Sequence, residues 1–232
     1  MIHVIYMAAG NSRRFGSNKL LYLYEGKPLY RHGLELLLKL KQEMGEKLTV
    51  TVVTQYAEIL EEVQDIFERC GMAGMHAVFC EESRLGASYT IRAGIEAVIS
   101  QDLVSGQPKE GQSMIGEKDY YMFMVADQPH LTLDSVRKLV EAAGSCEQSA
   151  FSGPLAEECS RWETLSLRCG SIPGNPCMFR ADLIPELMTL TGDQGGRKVL
   201  KRHYCQHVDI SDEKELADVD EMLQVTENLG EK

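Results

Sequence analysis

Residues 7–21 read MAAGNSRRFGSNKLL and follow the apolar run IHVIY. Gly10 and Gly16 let backbone N–H groups approach an anion that a Cβ would obstruct, and Arg14 and Lys19 supply charge-assisted bonds to phosphate oxygens. The same composition also fits an exposed turn whose cations are merely solvated. Five residues separate the two glycines, and Lys19 comes three after the second. A Walker loop has four residues between its glycines and lysine directly after the second, and the dinucleotide fingerprint G-x-G-x-x-G is absent too. The spacing therefore favours neither a P-loop ATPase nor a dinucleotide dehydrogenase.

Other segments carry chemistry-bearing residues. In VADQPHL, Asp127 ends an apolar run and Pro129 stops its continuation. A carboxylate there, beside a phosphate loop, suits Mg²⁺, a hard cation held by one or two carboxylates and substrate phosphates; a turn or cap aspartate is the bland alternative. RLGASYTIRAGI places Ser88, Thr90 and Arg92 at a helix start, able to meet a base or ribose or simply to cap the helix. PGNPCMF, with Asn175, and GDQGGRKVL, with Asp193 and Arg197, are turn signals first. Asp218 and Asp220 alternate in LADVDEML, where either could be a second metal carboxylate or part of a solvated acidic face. HYCQH puts His203, Cys205 and His207 on one side of a strand, but no fourth metal ligand has suitable spacing.

These residues need a frame. The chain has 232 residues and a net charge of −11, which repels polyanions and excludes a duplex-binding role; the basic cluster at Arg13, Arg14 and Lys19 suffices for a nucleotide. No apolar stretch approaches a membrane span, and the opening run lacks the order of a signal peptide. The seven cysteines contain no C-x-x-C and are odd in number, so reduced thiols in a cytoplasmic protein are expected. Strands are expected at 3–8, 48–54, 75–80 and 119–127, and helices from Pro28, at 56–71, at 87–100 and at 132–144 with Thr132 as N-cap. Residues 101–118 read as an exposed loop. The alternation predicts an α/β fold: a single-domain three-layer α/β/α sandwich with a mainly parallel, Rossmann-like sheet. Strands at 162–170 and 176–180 and helices at 181–190, 195–203 and 212–229 predict a smaller mixed-sheet extension in the C-terminal half.

In order along the chain, MAAGNSRRFGSNKLL…GKPLYRH, LGASYTIRAGI, VADQPHL, GNPCMF and GDQGGRKVL resemble the molybdenum cofactor cytidylyltransferases, within the nucleotidyltransferases of the nucleotide-diphospho-sugar transferase fold. The resemblance spans about residues 2–220. It implies one nucleotidyltransferase domain over 1–232, with a nucleotide-binding half to about 130 and an acceptor-binding half beyond. The implied reaction is Mg²⁺-dependent transfer of CMP from CTP to the terminal phosphate of molybdenum-bearing molybdopterin, with release of pyrophosphate. Gly10, Arg14 and Lys19 would hold the triphosphate. Asp127 and Asp220 would bind Mg²⁺. Ala8, Ala9, Ser88, Thr90 and Arg92 would line the nucleotide pocket, and Asn175, Asp193 and Arg197 would meet the pterin. The guanylyl branch carries L-A-G-G where this chain has Ala8-Ala9-Gly10, which favours CTP. The late motif departs from the family pattern: DVDEML keeps both aspartates without the usual Thr-Pro helix start. Guanylyl transfer, cytidylyl transfer to a sugar or polyol phosphate, and a non-catalytic chaperone serving a client molybdoenzyme are the alternatives.

Overall fold

The computed structural model describes residues 1–11, 18–105, 119–148 and 162–219. The apolar run at the start forms β1 (Ile2–Met7), followed by a small hairpin of β2 (Leu23–Tyr24) and β3 (Lys27–Pro28). Then come α1 (Leu29–Met44), β4 (Leu48–Thr54), α2 (Ala57–Cys70), β5 (Met75–Phe79), α3 (Ala87–Ser105), β6 (Tyr120–Val125) and α4 (Leu133–Gln148). The last part adds β7 (Thr164–Cys169), β8 (Ile172–Arg180), the short helices α5 (Ile184–Met188) and α6 (Arg197–Leu200), and β9 (Cys205–Asp209).

Seven strands form one sheet in the order β5-β4-β1-β6-β8-β7-β9. β5, β4, β1 and β6 run parallel; β8 is antiparallel to both neighbours, and β9 runs parallel to β7. The mixed extension is thus continuous with the parallel part. β1 and β6 are buried on both faces, which is why their sequences lack the alternation of a half-exposed strand. On one face Leu34 and Leu37 of α1, Ile59 and Val63 of α2, and Val136 and Leu139 of α4 pack against the sheet. On the other, Ile91, Ile95 and Val98 of α3 join Leu187 of α5 and Val199 of α6. The two covered faces make the three layers expected from the alternation of elements.

Local signals explain several boundaries. Pro28 stands immediately before α1, where a missing N–H costs nothing. α2 stops at Gly71, whose φ of 60° lets its amide donate back to the Phe67 carbonyl at 3.0 Å. Thr132 caps α4 as expected, its Oγ1 accepting from the Ser135 amide at 3.2 Å.

Other expectations need correction. α3 continues through residues 101–105, which read as loop, because the stretch holds no glycine or proline to stop a helix and the first glycine comes only at 106. The remainder of that expected loop, 106–118, lies outside the described residues. α4 runs past Gly144, since an open-sided glycine weakens a helix without stopping it. β8 begins at Ile172 rather than 176, so Gly174 and Asn175 are strand residues and the Asn175–Pro176 bond is cis. The expected helices at 181–190 and 195–203 shorten to α5, preceded by a 3-10 turn, and α6. In the acidic end, residues Glu213–Leu216 form a 3-10 turn and 217–219 are not helical; 220–232 lie outside the described residues.

Candidate active site

Parallel strands gather the carboxyl ends of β1, β4, β5 and β6 at one rim of the sheet, where ligands of doubly wound folds bind. Met7 pairs with Val125, so Ala8 and Ala9 leave the sheet beside Ala126 and Asp127. Phe123 pairs with Cys177 in the antiparallel β8, which carries Asn175 to the same rim.

The start of the basic loop is fixed by backbone-directed bonds. The Ala8 amide donates to the Val53 carbonyl at 2.9 Å. Gln55 donates through Nε2 to the Ala9 carbonyl at 2.7 Å and to Asn11 Oδ1 at 3.1 Å. The Tyr56 hydroxyl donates to the Gly10 carbonyl at 2.7 Å, and Asn11 Nδ2 donates to the Arg84 carbonyl at 3.0 Å. Gln55 and Tyr56 escaped the sequence reading, although their place directly after β4 was a usable signal. Ala8 and Ala9 are buried, while nothing lies within 4 Å of where a Cβ on Gly10 would stand. Arg13, Arg14 and Gly16 lie outside the described residues.

Beyond that gap, Asn18 caps a 3-10 turn at Lys19–Leu21, accepting from the Leu20 amide. The turn delivers a buried lysine to the rim: Lys19 Nζ lies 2.8 Å from Asp127 Oδ2 and donates to the Val219 carbonyl at 3.2 Å. Asp127 lies just past the end of β6 rather than within it, and its side chain keeps 22% of its surface exposed. The predicted cation and the predicted carboxylate therefore meet directly. A half-buried carboxylate at the strand ends is an oxygen donor suited to a hard divalent cation, provided that Lys19 shifts toward an incoming phosphate.

A strap of chain at 212–219 closes the acidic side of the rim. Val219 donates from its amide to the Asp127 carbonyl at 3.0 Å. Gln128 Nε2 donates to the Leu216 carbonyl at 2.9 Å, and Thr132 donates to Glu215 Oε2 from its amide at 3.0 Å and its hydroxyl at 2.8 Å. Gly174 makes room for Leu216, whose Cδ2 would lie 2.8 Å from a Cβ there. The strap brings exposed Asp218 to this side; Asp220 lies outside the described residues. On the opposite flank, the Tyr24 hydroxyl meets His130 Nε2 at 2.8 Å and ties the β2–β3 hairpin to the turn after Asp127.

Ser88 and Thr90 are buried at the start of α3. Thr90 donates to Ser83 Oγ at 2.9 Å, whereas Ser88 Oγ has no hydrogen-bond partner among the described residues. The Arg92 guanidinium points to the Leu190 carbonyl and lies over the Tyr89 ring, 4.5 Å from its centroid. It borders a cavity of about 460 Å³ between α3 and β5, with Phe79, Cys80, Glu82 and Glu96 in its lining. Asp193 and Arg197 are exposed on the loop 190–196 and at the first residue of α6.

The candidate metal cluster at His203, Cys205 and His207 dissolves in the structure. His203 precedes β9 and is clamped between Glu163, 2.7 Å from Nδ1, and Glu186, 2.6 Å from Nε2. His207 Nδ1 meets Ser166 Oγ at 2.8 Å. Among the described residues no group of three or more ligating side chains could hold a metal ion, and no helix is long and apolar enough to cross a membrane.

Comparison with known proteins adds the following. The MobA-like NTP transferase domain family matches residues 4–208. The purine catabolism protein PucB of Bacillus subtilis (strain 168) is 24% identical over 201 residues, which cover 85% of this chain and 79% of that protein. Among solved structures, Rv0371c from Mycobacterium tuberculosis H37Rv superposes with a TM-score of 0.62 at 19% identity, covering 100% of this chain and 98% of that one. A complex of Rv0371C with manganese gives 0.52 at 18% identity over 91% and 89% of the two chains. Molybdopterin-guanine dinucleotide biosynthesis protein A from Archaeoglobus fulgidus gives 0.58 at 13% identity over 97% and 96%.

Proposed function

Because the chain belongs to the MobA-like NTP transferase domain family, we propose that it transfers CMP from CTP to the terminal phosphate of molybdenum-bearing molybdopterin. The observation that carries this reading is the meeting of Lys19 and Asp127, 2.8 Å apart at the rim where Ala8, Ala9 and Gly10 leave β1. A phosphate-binding cation and a metal-binding carboxylate are the two groups that displacement at the α-phosphorus of a nucleotide requires.

A terminal phosphate oxygen of the pterin attacks the α-phosphorus. The new P–O–P bond forms as the bond to the β-phosphate oxygen breaks, and pyrophosphate leaves. The attacking phosphate is ionised near neutrality, so positioning and charge neutralisation carry the step without a strong base. Lys19 exchanges Asp127 for the triphosphate and stabilises the departing negative charge, a role we assign also to Arg14 and the Gly10 amide. A divalent ion, when held by Asp127 and Asp220, neutralises phosphate charge; manganese in the Rv0371C complex is in keeping with such a requirement, and Mg²⁺ is the ion we assign. Ala8 and Ala9, with the Ser88 and Thr90 end of α3, form the nucleotide wall, and the Ala9 methyl narrows the space a purine needs. Asn175, Asp193 and Arg197 line the acceptor side. A client molybdoenzyme would take the finished cofactor.

The test combines protein, Mg²⁺, each of the four ribonucleoside triphosphates and molybdenum-loaded molybdopterin, and follows pyrophosphate. CTP-dependent release with a cytidylylated pterin product is expected. The archaeal neighbour's guanine product keeps GTP as the second reading; preference for GTP would sink the alanine argument, and no release with any nucleotide would sink the reaction.

A further inference from the structure

The loop 190–196 joins α5 to α6 and carries Asp193, with Arg197 directly after it. Its base is anchored by Leu190, which is buried in the core on the α3 face. The Gln194 amide donates to the Thr191 carbonyl at 3.1 Å, and the Thr191 amide donates to Gln194 Oε1 at 3.3 Å. A loop closed on itself in this way moves as a unit.

Three residues at the start of α3 hold it. The Arg92 guanidinium donates to the Leu190 carbonyl, across 98 positions of sequence. The Ser88 amide donates to the Gly192 carbonyl at 3.1 Å. Gly86, at φ +140°, lies so close to Gly192 that a Cβ would overlap its carbonyl and stand 2.6 Å from the Asp193 nitrogen. The Arg92 side chain is itself fixed from below by the Tyr89 ring. A guanidinium stacked on its own helix and bonded to a distant carbonyl is a strut. It borders the cavity on the β5 side of α3, whose lining includes neither Gly10 nor Asp127.

We propose that Arg92, with Gly86, is a positioning residue that couples the two substrates: it seats the acceptor-side loop 190–196 on the helix start assigned to the nucleotide. This rests on the nucleotidyl-transfer reading above. Asp193 and Arg197 reach their working positions only while the loop is docked, and order imposed on the start of α3 by a bound nucleotide passes to the loop through the Arg92 and Ser88 bonds. The coupling is a direct contact between two elements, each of which meets a different substrate.

The test is Arg92→Met, which keeps an apolar stem over Tyr89 and removes the donor. The acceptor KM at saturating CTP should rise about tenfold, within the usual range for coupled sites, while the CTP Kd measured without acceptor changes less than about twofold. Arg92→Lys should recover part of the loss, because an ammonium restores a donor without the planar fork. Gly86→Ala, which pushes the loop from its other contact, should give the same split. An equal rise in the CTP Kd measured without acceptor would overturn the proposal by making Arg92 a nucleotide contact, and no change in either constant would overturn it as well. Amide hydrogen exchange separates this from the reaction itself. In Arg92→Met without any ligand, amides 191–196 should exchange at least about tenfold faster while 93–100 keep their protection. Unchanged exchange there would refute the strut, whereas absent turnover in the wild-type protein would count against the reaction alone.

Discussion

Lys19 and Asp127 neutralise each other at the rim, and on the proposed reading both would exchange partners as nucleotide and metal bind. Asp127→Asn leaves an oxygen for Lys19 but removes the charge a divalent ion needs. Pyrophosphate release should fall at least ~100-fold, with the far-ultraviolet circular dichroism spectrum retained; wild-type turnover in that variant would remove Asp127 from the mechanism. A second residue-scale expectation concerns His203. Hydrogen bonding to Glu186, then to Glu163, raises its pKa above the ordinary 6.5 against a smaller opposing effect of burial. The clamp therefore contributes fully below pH 6.5 and is lost as pH rises through the raised folded value. Melting temperatures should decline across that interval, and His203→Gln, which takes up no proton, should flatten that part of the profile. The acid–base character of these residues was legible in the sequence, but their partners were not. Glu163 and Glu186 lie 40 and 17 positions from His203, and only strand and helix placement brings them to its two nitrogens.

At the scale of elements, helices meet the sheet at glycines. A Cβ on Gly94 of α3 would overlap the Ile5 side chain, and one on Gly33 of α1 would stand 2.6 Å from the Tyr6 hydroxyl. Gly144 in α4 faces open space. Gly94→Ala should thus cost about 1–3 kcal/mol through overpacking, whereas Gly144→Ala should add up to ~1 kcal/mol from helix propensity. Paired urea titrations measure both; equal signs would refute the packing assignment. Apolar periodicity identified α1 to α4 and the parallel strands because burial dictates it directly. Element ends were less legible: 101–105 and 145–148 continue their helices, since neither stretch holds a glycine or proline to stop one. The Gly174–Pro176 stretch carried turn chemistry yet forms part of β8, because the pairing of Gly174 with Leu167 and of Cys177 with Ser166 and Phe123 on either side of it overrides local preference.

The whole molecule carries a net charge of −11, so its long-range field opposes a triphosphate. Binding must come from local cations and the metal. CTP with Mg²⁺ at 100 times its Kd should raise the melting temperature by roughly 5–10 °C, corresponding to about 2.7 kcal/mol in a chain of this size. CTP alone should do less, and GTP at equal concentration less than CTP; an equal shift with GTP would argue against base selection by Ala9. The sequence by itself determined the α/β class, the parallel strands and the family, because these reside in local pattern and ordered motifs. Only the tertiary structure decided that Lys19 pairs with Asp127, that the 212–219 strap closes over the strand ends, and that Arg92 reaches Leu190. Each of those contacts joins residues more than 80 positions apart, and no local preference encodes a distance across the fold.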